Sequence, residues 1–278
     1  MCIPFYRELA DVLVGVERMK RSLSHVLWGL RLVERLTGQY ALRAKGCFSK
    51  EEALIIRREY FGRIASVIRE LDDDFRLLAE AKIKLSKLPD IDPRLPTVVV
   101  AAAPNVGKST LVHKVSSAKP EIAPYPFTTK GLIVGHIEVT RAVRVQVVDT
   151  PGLLDRPLSE RNQIELQAIV ALKHIADVII FLVDPTMHSG YPLDYQLRVL
   201  REIKDSFTGI PLLIAMNKID IATEEERIRT KELLSRYGKV YEISAKKDIG
   251  LDELMKDAIE IAMKRKAIGG SDLALPPQ

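Results

Sequence analysis

Two short polar blocks, Asn105-Val106-Gly107-Lys108-Ser109 and Asp149-Thr150-Pro151-Gly152, each follow an apolar run, and the chemistry they suit is phosphate binding. The first follows residues 97–103, a β-branched and small apolar run that reads as a strand buried on both faces. Pro104-Asn105 has turn chemistry, and Thr110, Leu111 and Val112 open a helix. Strand, loop and helix in that order make a phosphate-binding loop, in which backbone N–H groups and the helix N-terminus surround an anion. Pro104 through Thr110 are therefore the expected contacts. Lys108 adds a mobile positive charge, and the Ser109 hydroxyl is a hard oxygen ligand for Mg²⁺. Asp149 ends a second apolar run, 143–148, where it can hold a Mg²⁺-bound water. Gly152 can offer its N–H to a terminal phosphate, and losing that bond would release residues 153–165. A hydroxyl from Thr128 or Thr129, between the two blocks, can complete the Mg²⁺ shell.

Two later blocks suit a base. Residues 211–216 form a third apolar run, followed by Asn217-Lys218-Ile219-Asp220. The Asp220 carboxylate can accept from the ring N–H and the exocyclic amine of guanine, donors that adenine lacks on that edge. A buried acceptor rejects the analogue that leaves it unpaired. The Lys218 stem can lie along the base face. Ser244-Ala245-Lys246 follows the run at 240–243, and its backbone N–H can reach the guanine carbonyl. Together, in this order, the four blocks read as the site of a guanine-nucleotide switch that takes GTP or GDP with Mg²⁺.

Longer strings carry a resemblance. Pro104-Asn105-Val106-Gly107-Lys108-Ser109, Tyr125-Pro126-Phe127-Thr128-Thr129-Lys130, Ile133-Val134-Gly135-His136 and Asp149-Thr150-Pro151-Gly152-Leu153-Leu154-Asp155-Arg156-Pro157 are similar to the nucleolar GTP-binding protein (Nog) family. That family lies in the Obg-type branch of the translation-factor-class GTPases. The resemblance runs from about residue 4 to about 262 and takes in Leu88-Pro89-Asp90-Ile91-Asp92-Pro93, like the family's boundary between helical and GTPase domains. It implies a GTPase acting in assembly of the large ribosomal subunit, with rRNA and ribosomal proteins of its precursor as partners. It favours Thr129 over Thr128 for Mg²⁺. The length resembles the short archaeal members, without the long C-terminal extension of nucleolar ones.

Two positions depart from the pattern. Ala102 stands where the loop's first glycine falls, and it is expected to weaken binding without abolishing it. Leu153 stands where Ras-like switches carry a water-orienting glutamine, so intrinsic hydrolysis is expected to be slow or completed from elsewhere. Related GTPases with asparagine at the position of Asn105 use it to hold K⁺; otherwise Asn105 only shapes the loop. Lys108, Thr129, Gly152 and Asn105 are thus the expected catalytic set. Arg156 is a lesser candidate, better read as binding a partner or a nearby carboxylate.

The elements that must position these residues are an α/β GTPase domain at 97–266, with a mostly parallel six-stranded sheet, and an all-α antiparallel helical bundle at 1–88. A proline-bearing linker, 89–96, joins them, and 267–278 reads as a flexible tail. In the bundle, Phe5, Leu9, Val12, Val16, Met19, Leu23, Val26, Leu30 and Val33 recur at helical spacing, with Gly38 and Gly46 as breaks. Ser49 with Glu52 makes a capping box, and Asp72-Asp73-Asp74 starts a further helix; Trp28 is read as core.

The net charge of +5 concentrates near the N-terminus, with 18 basic against 14 acidic residues through Arg94 and 24 against 23 beyond it. A phosphodiester-binding surface and an ordinary solvated helical surface both fit. Two cysteines, no leader pattern and no run long enough to span a bilayer predict a cytoplasmic monomer without a membrane partner. The alternatives to a GTP-hydrolysing switch are a nucleotide-gated RNA or ribosome scaffold with negligible turnover, and a signalling switch for a protein partner.

Overall fold

The computed structural model describes residues 4–88, 91–123, 125, 131–140 and 143–270. They fall into two compact units, Ala10–Lys87 in one, and the segment ending at Leu9 with the chain from Leu88 in the other.

The smaller unit is helical. It takes in the end of α1 (Pro4–Val14), then α2 (Val16–Lys45), α3 (Lys50–Glu70) and α4 (Asp72–Leu85). Gly15, at φ 71°, interrupts the apolar periodicity that reads as one helix from residue 5 to 33, while α2 runs through Gly38 and stops at Gly46. Ser49 Oγ accepts from Glu52 N at 3.1 Å and caps α3, but Glu52 returns its carboxylate to Phe48 N. The aspartate triplet occupies the first turn of α4 with Lys82 and Lys84 in its last, as the helix dipole favours. The single residue between α3 and α4, Leu71, keeps helical geometry, so α4 continues in the direction of α3 instead of folding back. Thr37 meets Tyr60, Gly29 meets Leu71 and His25 meets Asp74, so α2 lies antiparallel to both. The unit is a two-layer hairpin with a small core of Leu36, Tyr40, Ile56, Val67 and Leu71. Trp28 is not in that core: it is 42% exposed and stacks on His25.

The larger unit is built on seven strands: β1 (Thr97–Ala102), β2 (Glu121–Ala123), β3 (Leu132–Glu138), β4 (Arg144–Asp149), β5 (Val178–Val183), β6 (Leu212–Met216) and β7 (Val240–Glu242). Their order is β2-β3-β4-β1-β5-β6-β7, with β2–β3 and β3–β4 antiparallel and the other pairs parallel. Among the described residues the sheet has seven strands against the six expected, and β2, with three residues, Glu-Ile-Ala, is too short to show a period. α5 (Lys108–Val115) and α9 (Leu251–Gly270) cover one face. α6 (Gln163–Leu172), α7 (Leu193–Ser206) and Leu234 of α8 (Glu224–Ser235) cover the other.

Phe5 and Leu9 are fully buried in that second face, and Tyr6 Oη both donates to Ile91 O at 2.7 Å and accepts from Ile91 N at 3.1 Å. The first turns of α1 thus cluster with the sheet. At the other end α9 continues past residue 266 to Gly270; the expected tail beyond it lies outside the described residues.

In the register, Val100 pairs Asp149, Ala102 pairs Leu182, Val183 pairs Met216 and Met216 pairs Glu242. The C-terminal ends of β1, β4, β5, β6 and β7 therefore line up, and the loops that follow them gather at one edge. Buried Gln146 fixes the entry to β1: its Nε2 donates to Asp92 O (2.7 Å) and Thr97 Oγ1 (3.1 Å), and its Oε1 accepts from Asp92 N (3.0 Å). Gln146→Leu should cost about 1–3 kcal/mol by stranding these partners. A urea midpoint with unchanged slope would measure it, and an unaltered midpoint would count against the account.

Candidate nucleotide-binding site

The loop after β1 is shaped by two left-handed residues, Asn105 at φ 60° and Gly107 at φ 110°. Gly107 is required twice over, by that angle and because a Cβ there would meet Asn217 Nδ2 at 2.5 Å. Ala102 has no such demand. It is the last residue of β1, does not have positive φ, and donates its N–H to Leu154 O at 3.2 Å, so alanine fits in glycine's place without backbone strain. The Lys108 ammonium donates to Ala102 O (2.9 Å) and Ala103 O (3.0 Å), which holds the cation against the loop.

Ser109, in the first turn of α5, donates its hydroxyl to Asp149 Oδ2 at 2.6 Å. Asp149 is fully buried, and its Oδ1 has no hydrogen-bond partner among the described residues. Burial pushes its carboxyl above the ordinary value, against the opposing pull of the Ser109 hydrogen bond and the Lys108 charge. Two hard oxygens, one orphaned, beside a phosphate-binding loop are the donor set that suits Mg²⁺, which takes one or two protein ligands and completes its shell with water and phosphate oxygens. The residues present fit that ion. Thr129, and Thr128 beside it, lie outside the described residues.

A cavity of about 540 Å³ lies between the two phosphate blocks, lined by Asn105, Lys108, Ser109, Pro151, Gly152 and Asp155 among others. Gly152, at φ 75°, donates its N–H to Asp155 Oδ2 at 2.9 Å. The segment after it, expected to be releasable, is tied down. Leu153 and Leu154 are buried. Arg161, its side chain 2% exposed, donates to Gly152 O (2.6 Å), Leu153 O (2.7 Å) and Asp155 Oδ1 (2.9 Å). Burial lowers the Arg161 pKa from its ordinary value, with the nearby Arg156 charge acting the same way. Arg156 pairs with the carboxylate of Glu165 at 2.8 Å, and Glu165 closes a capping box with Asn162 at the start of α6.

On the base side, Asn217 joins the blocks: its Nδ2 donates to Val106 O at 2.8 Å and its Oδ1 accepts from Ala245 N at 2.9 Å. Of the backbone donors in the block expected to reach the guanine carbonyl, the Ala245 N–H is thus engaged with Asn217. Asp220 Oδ1 accepts from Ser244 Oγ at 2.6 Å. Lys218, at φ 65°, pairs with the buried Asp184 carboxylate at 2.7 Å. Lys246 is exposed and lines a second cavity of about 420 Å³ with Ser109, Thr110 and Ala245. Asn105 Nδ2 donates to Ser189 O at 3.3 Å.

Asp155, Arg161, Asp184 and Ser189 were not expected at the site. Asp184 had a readable signal: like Asp149, it is a carboxylate at the end of an apolar strand. Arg161 had none, since two of its partners are backbone carbonyls brought near by a turn.

Residues 2–92 match the family model of the NOG1 N-terminal helical domain, and residues 163–220 that of nucleolar GTP-binding protein 1. An uncharacterized protein of Methanocaldococcus jannaschii is 44% identical over 225 residues, 81% of this chain and 62% of that protein. Nucleolar GTP-binding protein 1 of Drosophila melanogaster is 38% identical over 223 residues, 80% of this chain and 34% of that protein. The chain therefore spans from about a third to under two thirds of the length of these relatives. A crystal structure described as nucleolar GTP-binding protein 1 of Plasmodium falciparum is 31% identical with a TM-score of 0.55, covering 66% of this chain and 93% of that one.

Asn217→Ala removes both bonds that join the first block to the last and leaves Val106 O and Ala245 N buried without partners. A loss of about 2–4 kcal/mol is expected in denaturant unfolding without added ligand; a loss under about 1 kcal/mol would show that the two loops hold their places independently.

Proposed function

This chain belongs to the nucleolar GTP-binding protein 1 family, and from that premise we propose that it binds GTP and GDP with Mg²⁺ and hydrolyses GTP as a switch in large-ribosomal-subunit assembly. The observation that carries the nucleotide reading is the Asn217 bridge, which sets the phosphate-binding loop and the Asp220–Ser244 pair at a fixed separation on one sheet edge. One end then suits phosphates and the other a guanine edge.

In this reading the loop N–H groups and Lys108 neutralise the phosphates, and Ser109 and Asp149 hold Mg²⁺, which supplies charge stabilisation to phosphoryl transfer. Thr129 completes that shell by resemblance. Asp220 accepts from the guanine edge, with Lys218 oriented over the base by Asp184. Asn105 is the candidate holder of K⁺. Leu153 is buried and apolar, so no side chain at that position orients water, and turnover depends on K⁺ or on a partner, precursor rRNA or ribosomal protein. A cytoplasmic monomer remains the reading for the rest; among the described residues no helix is long and apolar enough to cross a membrane.

A second reading, a nucleotide-gated RNA or ribosome scaffold with negligible turnover, is favoured by the same buried Leu153. Single-turnover GTP hydrolysis, in KCl and in NaCl, with and without large-subunit particles, separates the two. A switch accelerates in at least one of these conditions, whereas the scaffold stays flat while its cosedimentation with particles still follows the nucleotide. Absence of nucleotide-dependent cosedimentation would remove the ribosomal part of both readings. For base identity, Asp220→Asn should weaken GTP about 10–100-fold and improve xanthosine triphosphate binding. Unchanged GTP affinity would refute the guanine assignment.

A further inference from the structure

Asp155 has no part in the functional reading above, yet its carboxylate sits at the centre of the phosphate end. It lines the cavity between the two phosphate blocks. One oxygen accepts the Gly152 N–H at 2.9 Å and the other accepts Arg161 Nη2 at 2.9 Å. Arg161 is anchored independently of Asp155, by Gly152 O at 2.6 Å and Leu153 O at 2.7 Å, within a side chain that is 2% exposed. The guanidinium is therefore a fixed post, and Asp155 is the part of the bridge that can swing away.

The Gly152 N–H is the donor assigned to a third phosphate. A carboxylate oxygen and a phosphate oxygen are both anionic acceptors, and one N–H serves one of them well at a time. We propose that Asp155 is a specificity-determining residue. It competes with the terminal phosphate of a nucleoside triphosphate for the Gly152 N–H, and lowers triphosphate affinity relative to diphosphate. A diphosphate ends one group short of that donor and leaves the bridge intact. Like charge adds to the competition, because the displaced carboxylate and the arriving phosphate share one cavity wall.

Displacement also has a consequence beyond the cavity. Arg161 loses its Asp155 partner and keeps its two carbonyls. Its other carboxylate neighbour is Glu165 at 3.7 Å, the residue that closes the capping box of α6. The occupant of the Gly152 N–H is in this way coupled to the start of α6.

The inference rests on the nucleotide reading, and one experiment distinguishes their failures. Fluorescent GDP and a fluorescent non-hydrolysable GTP analogue are titrated, with Mg²⁺, into wild type, Asp155→Ala and Asp155→Asn. Asp155→Ala should tighten the triphosphate roughly fivefold or more, the order expected when a hydrogen bond to a charged group is no longer contested. GDP should change by less than about twofold, since its contacts do not include that donor. Asp155→Asn, which keeps an acceptor and loses the charge, should fall between. An unchanged ratio overturns the inference alone, and so does selective weakening of the triphosphate, which would make Asp155 a cation ligand instead. Wild type that binds neither nucleotide overturns both readings.

Discussion

The site depends on one side-chain amide. Asn217 stands just beyond β6, donates to the loop after β1 and accepts from the loop after β7. Both bonds are buried, and the Gly107 backbone approaches so closely that no Cβ could stand between them. A primary amide can do this because it carries a donor and an acceptor at one end of a short side chain. Aspartate offers no donor, and leucine neither donor nor acceptor. The amide converts three separate loops into one surface whose phosphate and base ends keep a fixed spacing.

The sheet makes that amide sufficient. Parallel strands with Ala102, Leu182 and Met216 near their C-terminal ends deliver every functional loop to one edge, so that local bonds alone need to finish the arrangement. The same edge concentrates what is costly. Asn105 and Lys218 adopt left-handed angles that L residues seldom take, and Asp149 and Asp184 are carboxylates without solvent. Asp184 is compensated by Lys218 and by Thr186, whose hydroxyl and N–H both donate to it. These costs fall on candidate site residues, while β5 behind them is wholly apolar and buried.

The readable part of this chain was the part written in consecutive residues. The largely apolar segments before Asn105, Asp149, Asn217 and Ser244 became β1, β4, β6 and β7, because strands buried within a sheet read as near-continuous apolar runs. What escaped reading depended on distance along the chain or on a single angle. The apolar period from Phe5 onward runs smoothly through Gly15, yet φ 71° there parts α1 from α2, and Phe5 and Leu9 are buried with the sheet. The aspartates of α4 announced a new helix but could not say that Leu71 would stay helical, so that α4 continues the direction of α3. Asp155 and Arg161 act on backbone atoms of Gly152 and Leu153, and backbone atoms have no signature in the residue alphabet.

Asp149 shows why the two phosphate blocks must be considered as one electrostatic object. Burial raises its carboxyl, so its charge costs the fold, and the Ser109 hydroxyl, the nearby Lys108 charge and the Thr150 N–H offset it in part. Lys108 is itself committed to the Ala102 and Ala103 carbonyls. A divalent cation bound between Ser109 and Asp149 would satisfy the orphaned Oδ1 and neutralise the charge together, so ion binding and local stability are linked at this point. Asp155, which lines the cavity beside Ser109, adds a second negative group near Asp149 and raises the Asp149 carboxyl further. Two carboxylates this close, one on the cavity wall and one buried behind it, favour a cation over a bare polyphosphate. In the proposed reading, a phosphate chain arriving as a metal complex brings the charge that offsets both carboxylates.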